Sequence, residues 1–173
     1  MNKITFKKIT PKQYKDFFKF FERSIRGQFL EYSIKTREYL IQNIYSFKSL
    51  TKQLRSKESV AYGAFNGNEY VGYLFVSAWP GGVCYFNWLA VAKEFQGKGI
   101  ASKLIEIAGI DAKIKGFHKI RLETDKRNLK FYKKNGFKFI GKIPKYLYGA
   151  DDYLLYKTLQ KPNESKFLKS TKI

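Results

Sequence analysis

Gln96-Gly97-Lys98-Gly99-Ile100-Ala101 is the stretch of this chain best built to hold an anion, because of what flanks it. It follows a charge-free apolar run, Val83 to Ala92, and opens a helical pattern that continues to about Lys115. A strand, a glycine turn and a helix start in that order make a phosphate site. The first four N–H groups of a helix have no intrahelical acceptor, and its aligned peptide dipoles leave about half a positive charge at that end. Two glycines allow positive φ and a close approach to the main chain, while Lys98 and Lys103 add mobile positive charge. The longer glycine fingerprint of dinucleotide-binding folds is absent, as is the Lys-Ser/Thr ending of a P-loop. The turn alone therefore does not fix the ligand.

A second stretch narrows the choice. Asn128-Leu129-Lys130-Phe131-Tyr132-Lys133-Lys134-Asn135-Gly136-Phe137 follows the strand-like segment Lys119 to Thr124. Together the two stretches resemble the GCN5-related N-acetyltransferase (GNAT) superfamily, with its Q/R-x-x-G-x-G/A motif and its Asn-led helix ending F-Y-x-x-x-G-F. Here those motifs read Q-G-K-G-I-A and F-Y-K-K-N-G-F, and the resemblance covers roughly Ser59 to Thr158. It implies an α+β, three-layer fold: a central mixed, mostly antiparallel sheet of about six to seven strands with helices on both faces. It also implies acetyl-CoA as co-substrate, with no metal, and direct attack by a primary amine in a ternary complex. Backbone groups at Leu89, Ala90 and Val91 would take the pantetheine arm. Gln96, Gly97, Lys98, Gly99, Ile100, Ala101 and Ser102, with Asn128 and Tyr132, would hold the cofactor. The central strand would splay from Lys119–Thr124 to make the cleft.

Such a reaction needs a deprotonated amine, donors for the tetrahedral oxyanion and a thiolate that can leave. Backbone N–H groups near Leu89 to Val91 can serve the oxyanion, and Tyr132 matches the family's tyrosine beside the sulfur, a general acid. The base departs from a common family pattern. Many relatives carry a glutamate on the central strand, whereas Val83 to Val91 holds no carboxylate and offers only Tyr85, Asn87 and backbone. Glu123 and Asp125 lie on the neighbouring strand, on the face of Arg121 by two-residue alternation. A carboxylate beside arginine is more often a structural pair. Glu123 is the candidate base nonetheless, acting directly or through water.

The acceptor stays open. L-E-T followed by N-L-K-F-Y looks like puromycin-type acetyltransferases, while Ile143-Pro144-Lys145-Tyr146 with Asp151-Asp152-Tyr153 looks like the N-terminal alanine acetyltransferases of ribosomal proteins. The missing carboxylate favours a less basic amine, such as an α-amino group with pKa near 8 rather than a lysine near 10.4. A polyamine would be repelled at long range by the formal charge of +20, unless a local acidic pocket overrides it.

That charge comes from 34 basic and 14 acidic residues, and it is unevenly spread. Between Ser59 and Ala92 the only charged residue is Glu69, which marks the sheet core. Lysines number 28 and arginines 6, a balance that suits a solvated surface better than a nucleic-acid reader. The alternative function is a nucleic-acid-associated basic module that keeps the fold without catalysis. Ribosome association belongs with that alternative. The expected assembly is a monomer or homodimer. A lone cysteine, Cys84, in an apolar strand reads as a core thiol, and the lone histidine, His118, as a solvated loop side chain. With one of each, a Cys/His zinc site is out of reach. The amino-terminal segment lacks a signal-peptide core and no stretch has the apolar length of a membrane span, so the expectation is a cytoplasmic protein.

Residues 1–160 read as a single domain and 161–173 as a basic, mobile tail. Thr10-Pro11 starts a helix with Tyr14, Phe17, Phe18 and Phe21 as its apolar stripe, and Phe29 to Leu54 carries a second helical pattern. The resemblance makes these helices one wall of the acceptor pocket. Ser59–Phe65 and Tyr70–Ala78 form a hairpin about Asn66-Gly67-Asn68-Glu69, and Trp79 to Gly82 breaks the chain before the central strand.

Overall fold

Alternate residues of the central strands are buried on opposite faces, so the middle of the sheet has no solvent side. Leu74 and Val76 enter one core, Tyr73 and Phe75 the other. The computed structural model describes residues 3–56, 58–79, 81–147 and 149–170. Its strands are β1 (Ile4–Lys8), β2 (Ser59–Asn66), β3 (Glu69–Trp79), β4 (Val83–Val91), β5 (Lys119–Thr124), β6 (Lys138–Leu147) and β7 (Ala150–Thr158). They form one open seven-stranded sheet in the order β1-β2-β3-β4-β5-β7-β6. Only β4 and β5 run parallel. The expected mixed, mostly antiparallel sheet is what forms, with β4 at its centre.

Helices α1 (Tyr14–Gln28), α2 (Ile34–Tyr39) and α3 (Phe47–Arg55) cover the face that carries Tyr73, Phe75 and Trp88. Helices α4 (Ile100–Ile114) and α5 (Leu129–Lys134) cover the other. A short turn at Pro11–Gln13 precedes α1, with the Gln13 side chain accepting from Thr10 N at 3.1 Å. The α1 stripe gains Phe20 and Ile25, while Phe18 stays at the edge against Phe47. Tyr73 is buried, and its hydroxyl is satisfied by Ser24 Oγ at 2.8 Å.

Two readings of the sequence are corrected. The pattern from Phe29 to Leu54 is not one helix: α2 ends in a π-type turn at Leu40–Ile44, and Ser46 caps α3 by accepting from Ser49 N. The cap resets the helical phase, so Leu50 is buried while Tyr39, Ile44 and Phe47 are exposed. Within the tail read as mobile, residues Glu164–Lys169 form a helix, α6, capped by Asn163. Phe167 docks it, its ring 5.2 Å from that of Phe117. Residues 171–173 lie outside the described set, as do Lys57, Pro80 and Tyr148. Among the described residues no helix is long and apolar enough to cross a membrane.

One irregularity positions everything that follows. Opposite Phe75 and Val76, strand β4 carries an extra residue, Asn87, a β-bulge that is braced by Asn87 Nδ2 donating to Ser77 Oγ at 2.8 Å. The parallel pairing of β4 with β5 stops one residue earlier, at Phe86 and Leu122. Beyond that point the two strands part, and the sheet opens into a fork.

Candidate active site

At the mouth of the fork the chain leaves β4, makes a short turn at Lys93–Phe95 and enters α4 through Gly99. Gly97 and Gly99 both take positive φ, 74° and 77°, and a Cβ on either would meet nothing within 4 Å. The first helical bond is Lys103 N to Gly99 O at 3.0 Å, so the N–H groups of Ile100, Ala101 and Ser102 have no intrahelical acceptor. This is open, electropositive main chain, the environment that fits the pyrophosphate of a coenzyme A molecule. Gln96 has a more structural part than expected, since its Nε2 donates to Val91 O at 3.0 Å and ties the turn to the end of β4. Lys98 bends back, its Nζ donating to Glu94 O at 2.9 Å above the Phe95 ring.

The fork opens into a cavity of about 1190 Å³. Leu89, Ala90, Val91, Gln96, Gly97, Gly99, Ile100, Ala101, Ser102, Asn128, Tyr132 and Glu123 all line it. Of the residues the sequence singled out for the anion site, Lys98 and Lys103 are not part of the lining, and Lys103 pairs with Glu106 at 3.0 Å. Ala92 N donates to Val71 O on the β3 side, so by alternation the main-chain groups of Leu89 and Val91 point into the gap left by β5.

Tyr132 reaches the cavity from α5, which starts after a turn that Asp125 caps by accepting from Asn128 N at 3.2 Å. Phe131 and Phe137 pack the Tyr132 ring at centroid distances of 5.0 and 5.6 Å. Its hydroxyl has no hydrogen-bond partner among the described residues, and burial pushes its pKa well above the ordinary phenol value. A phenol in that state is a proton donor at neutral pH.

The carboxylates converge from two strands and a loop. Glu123 is fully engaged: Arg121 donates to Oε1 at 2.6 Å and the Tyr85 hydroxyl to Oε2 at 2.7 Å. That is the structural pairing expected of a carboxylate beside arginine. Asp152 on β7 lies on the same sheet face, one diagonal step away, and is almost completely buried. Burial first, then the charge of Glu123, pushes its pKa up to about 6. In the sequence Asp152 stood out only within Asp151-Asp152-Tyr153, with no catalytic part assigned to it. What brings it beside Glu123 is the register of β7 against β5, which no local pattern records. Glu31, between α1 and α2, is held above the ordinary carboxylate range by burial. Arg127 bridges it to Asp125, at 2.9 and 2.6 Å. Cys84 is fully buried in the core, and that burial pushes its thiol up to about 12.

The site is thus an open sheet forked at a parallel strand pair, with a glycine-led helix start at the fork. A family profile described as an acetyltransferase (GNAT) domain matches residues 57–139. N-alpha-acetyltransferase 30 of Schizosaccharomyces pombe is 35% identical over 78 residues, which are 42% of this chain. The match spans 52% of that relative, about half its length. PaiA N-acetyltransferase from Thermoplasma acidophilum, solved in complex with coenzyme A, superposes with a TM-score of 0.76 at 22% identity, over 90% of this chain and 99% of that one. Ard1 from Thermoplasma volcanium gives 0.70 at 18% identity, over 91% and 99%.

Proposed function

We propose that the protein is an acetyl-CoA-dependent N-acetyltransferase acting on a primary amine by direct attack in a ternary complex. One observation carries the reading: the helix-start N–H groups, the partnerless Tyr132 hydroxyl and the buried Asp152–Glu123 pair all open on the same cavity. The α4 start binds the pyrophosphate, and the gap-facing main chain of Leu89 and Val91 receives the pantetheine arm and the oxyanion. Asp152 takes the amine's proton, directly or through a water, while Arg121, Tyr85 and Glu123 fix its surroundings. Tyr132 gives a proton to the departing thiolate. A cytoplasmic setting agrees with a single, buried, unpaired cysteine.

Thiol release from acetyl-CoA over a panel of α-amino peptides, lysine side chains, aminoglycosides, puromycin-like amines and polyamines tests this directly. Acetyl-CoA is also expected to raise the melting temperature, because it binds only the folded chain. A flat melting curve at millimolar acetyl-CoA, beside tight salt-sensitive nucleic-acid binding, would favour the non-catalytic basic module instead.

Gly99→Val probes the cofactor half. Nothing in the protein blocks the new side chain, but a β-branched residue at φ 77° is strained by about 1–2 kcal/mol, and its methyl groups enter the space assigned to the pyrophosphate. The expected result is a modest drop in melting temperature and a loss of acetyl-CoA affinity larger than that strain. Unchanged affinity in the folded variant would move the phosphate site elsewhere.

A further inference from the structure

The cavity reverses the charge of the chain that surrounds it. Basic residues outnumber acidic ones by 34 to 14 overall, yet the lining holds five acidic residues, Glu31, Glu123, Asp125, Asp151 and Asp152, against three basic ones, Lys93, Arg127 and Lys134. Outside the lining, Lys142 pairs with Asp151 at 2.6 Å and Arg121 with Glu123. Arg127 is shared between Glu31 and Asp125, and its own side chain is largely exposed, so a ligand cation can replace it at Glu31 at little cost. Glu123 and Asp152 stand together with a single guanidinium between them as counter-charge. Tyr32 lines the same cavity as Glu31, Asp152 and Glu123, and its phenol is pushed up by burial first and then by those three charges.

Beside them is an aromatic surface. The Trp88 ring is met edge-on by Phe29 at 4.9 Å, Tyr45 at 5.5 Å and Tyr32 at 6.3 Å, and all four residues line the cavity. Trp88 is more than nine-tenths buried, and its Nε1 has no acceptor of normal geometry, although the Tyr45 hydroxyl approaches it. This wall thus offers apolar ring surface and an indole N–H with no settled partner. Aromatic faces beside carboxylates recognise alkylammonium groups.

Resting on the acetyl-transfer reading, we propose that the acceptor is a primary amine carrying a second cationic group. The reacting amine lies at the Glu123–Asp152 pair, the alkyl spacer on the Trp88, Tyr32 and Tyr45 rings, and the second charge at Glu31. The long-range repulsion expected from the +20 surface does not decide against it. Salt screens exposed charges beyond about 8 Å, whereas carboxylates inside a cleft act at contact distance.

The test compares acceptors matched in size and differing by one charge, with the full chain, saturating acetyl-CoA and thiol release as readout. One pair is 1,5-diaminopentane against n-hexylamine; the other is a peptide with a free α-amine and lysine at its second position against the same peptide with norleucine. The expected result is a kcat/KM preference of about tenfold or more for the doubly charged member of at least one pair, which also tells a free polyamine from a basic peptide. Glu31→Gln should shrink that ratio toward one, and Glu31→Asp should retain part of it. Equal rates in both pairs, or a ratio that Glu31→Gln leaves untouched, would overturn the inference while acetyl transfer stands. No thiol release from any acceptor, with no melting shift from acetyl-CoA, would overturn the transfer reading and this inference with it.

Discussion

Asp152→Asn is expected to lower kcat/KM by about 100- to 10,000-fold at neutral pH, the range typical of a lost general base. The argument begins with its environment. Asp152 is buried on β7, accepts from Tyr153 N at 3.1 Å and stands beside Glu123 on β5, with Tyr32 of the α1–α2 loop lining the same cavity. Desolvation disfavours its charged form, and the neighbouring carboxylate disfavours it again, so the group titrates at about 6. Below that pH Asp152 is protonated and cannot accept the amine's proton. Corrected for the acceptor's own ionisation, wild-type kcat/KM should fall tenfold per pH unit below about 6, and the variant should show no bend there.

Stability gives an independent readout of opposite sign. A folded pKa above the unfolded value of about 3.9 means that Asp152 favours the folded state most at low pH, and that this contribution is lost as pH rises through about 6. Asp152→Asn should therefore melt higher than wild type at pH 8, with the gain vanishing near pH 4. Glu123→Gln separates neighbour from base. It removes the like charge, so the bend should move to lower pH while Asp152 remains able to work. Wild-type activity in Asp152→Asn would remove the residue from the mechanism.

Tyr132→Phe comes next in size. The substitution keeps the ring that packs between Phe131 and Phe137 and removes only a hydroxyl that bonds to nothing else in the described structure. A fall in kcat of about 10- to 1,000-fold is expected, with acetyl-CoA affinity nearly unchanged. The size follows from the leaving group. An alkyl thiol with pKa about 8.5 departs tolerably as thiolate, so a proton donor helps without being indispensable. Retained kcat with weakened cofactor binding would make Tyr132 a binding residue. No change in either, with chemistry shown to limit turnover, would reduce it to helix packing.

The sequence by itself determined the glycine-led helix start to which we assign the cofactor. A helix start is local: Gly97 and Gly99 at positive φ, the orphan N–H groups after them and the apolar run before them lie within about twenty consecutive residues. The short amphipathic helix that carries Tyr132, closed by Gly136, was legible from its own spacing, whereas the part proposed for its hydroxyl came from the resemblance. The carboxylate cluster to which we assign the acceptor was decided by the tertiary structure. Asp152 joins Glu123 only through the antiparallel register of β7 on β5, and Glu31 enters the same cavity only because α1 and α2 are packed over Trp88. The α2–α3 break misled the linear pattern, since one serine cap resets which side chains face the core. A carboxylate's basicity depends on what surrounds it in space, and those neighbours here come from residues 31, 121, 123 and 152. Phosphate-binding backbone needs only a contiguous segment, whereas a tuned acid–base pair needs desolvation and a second charge brought from elsewhere in the chain.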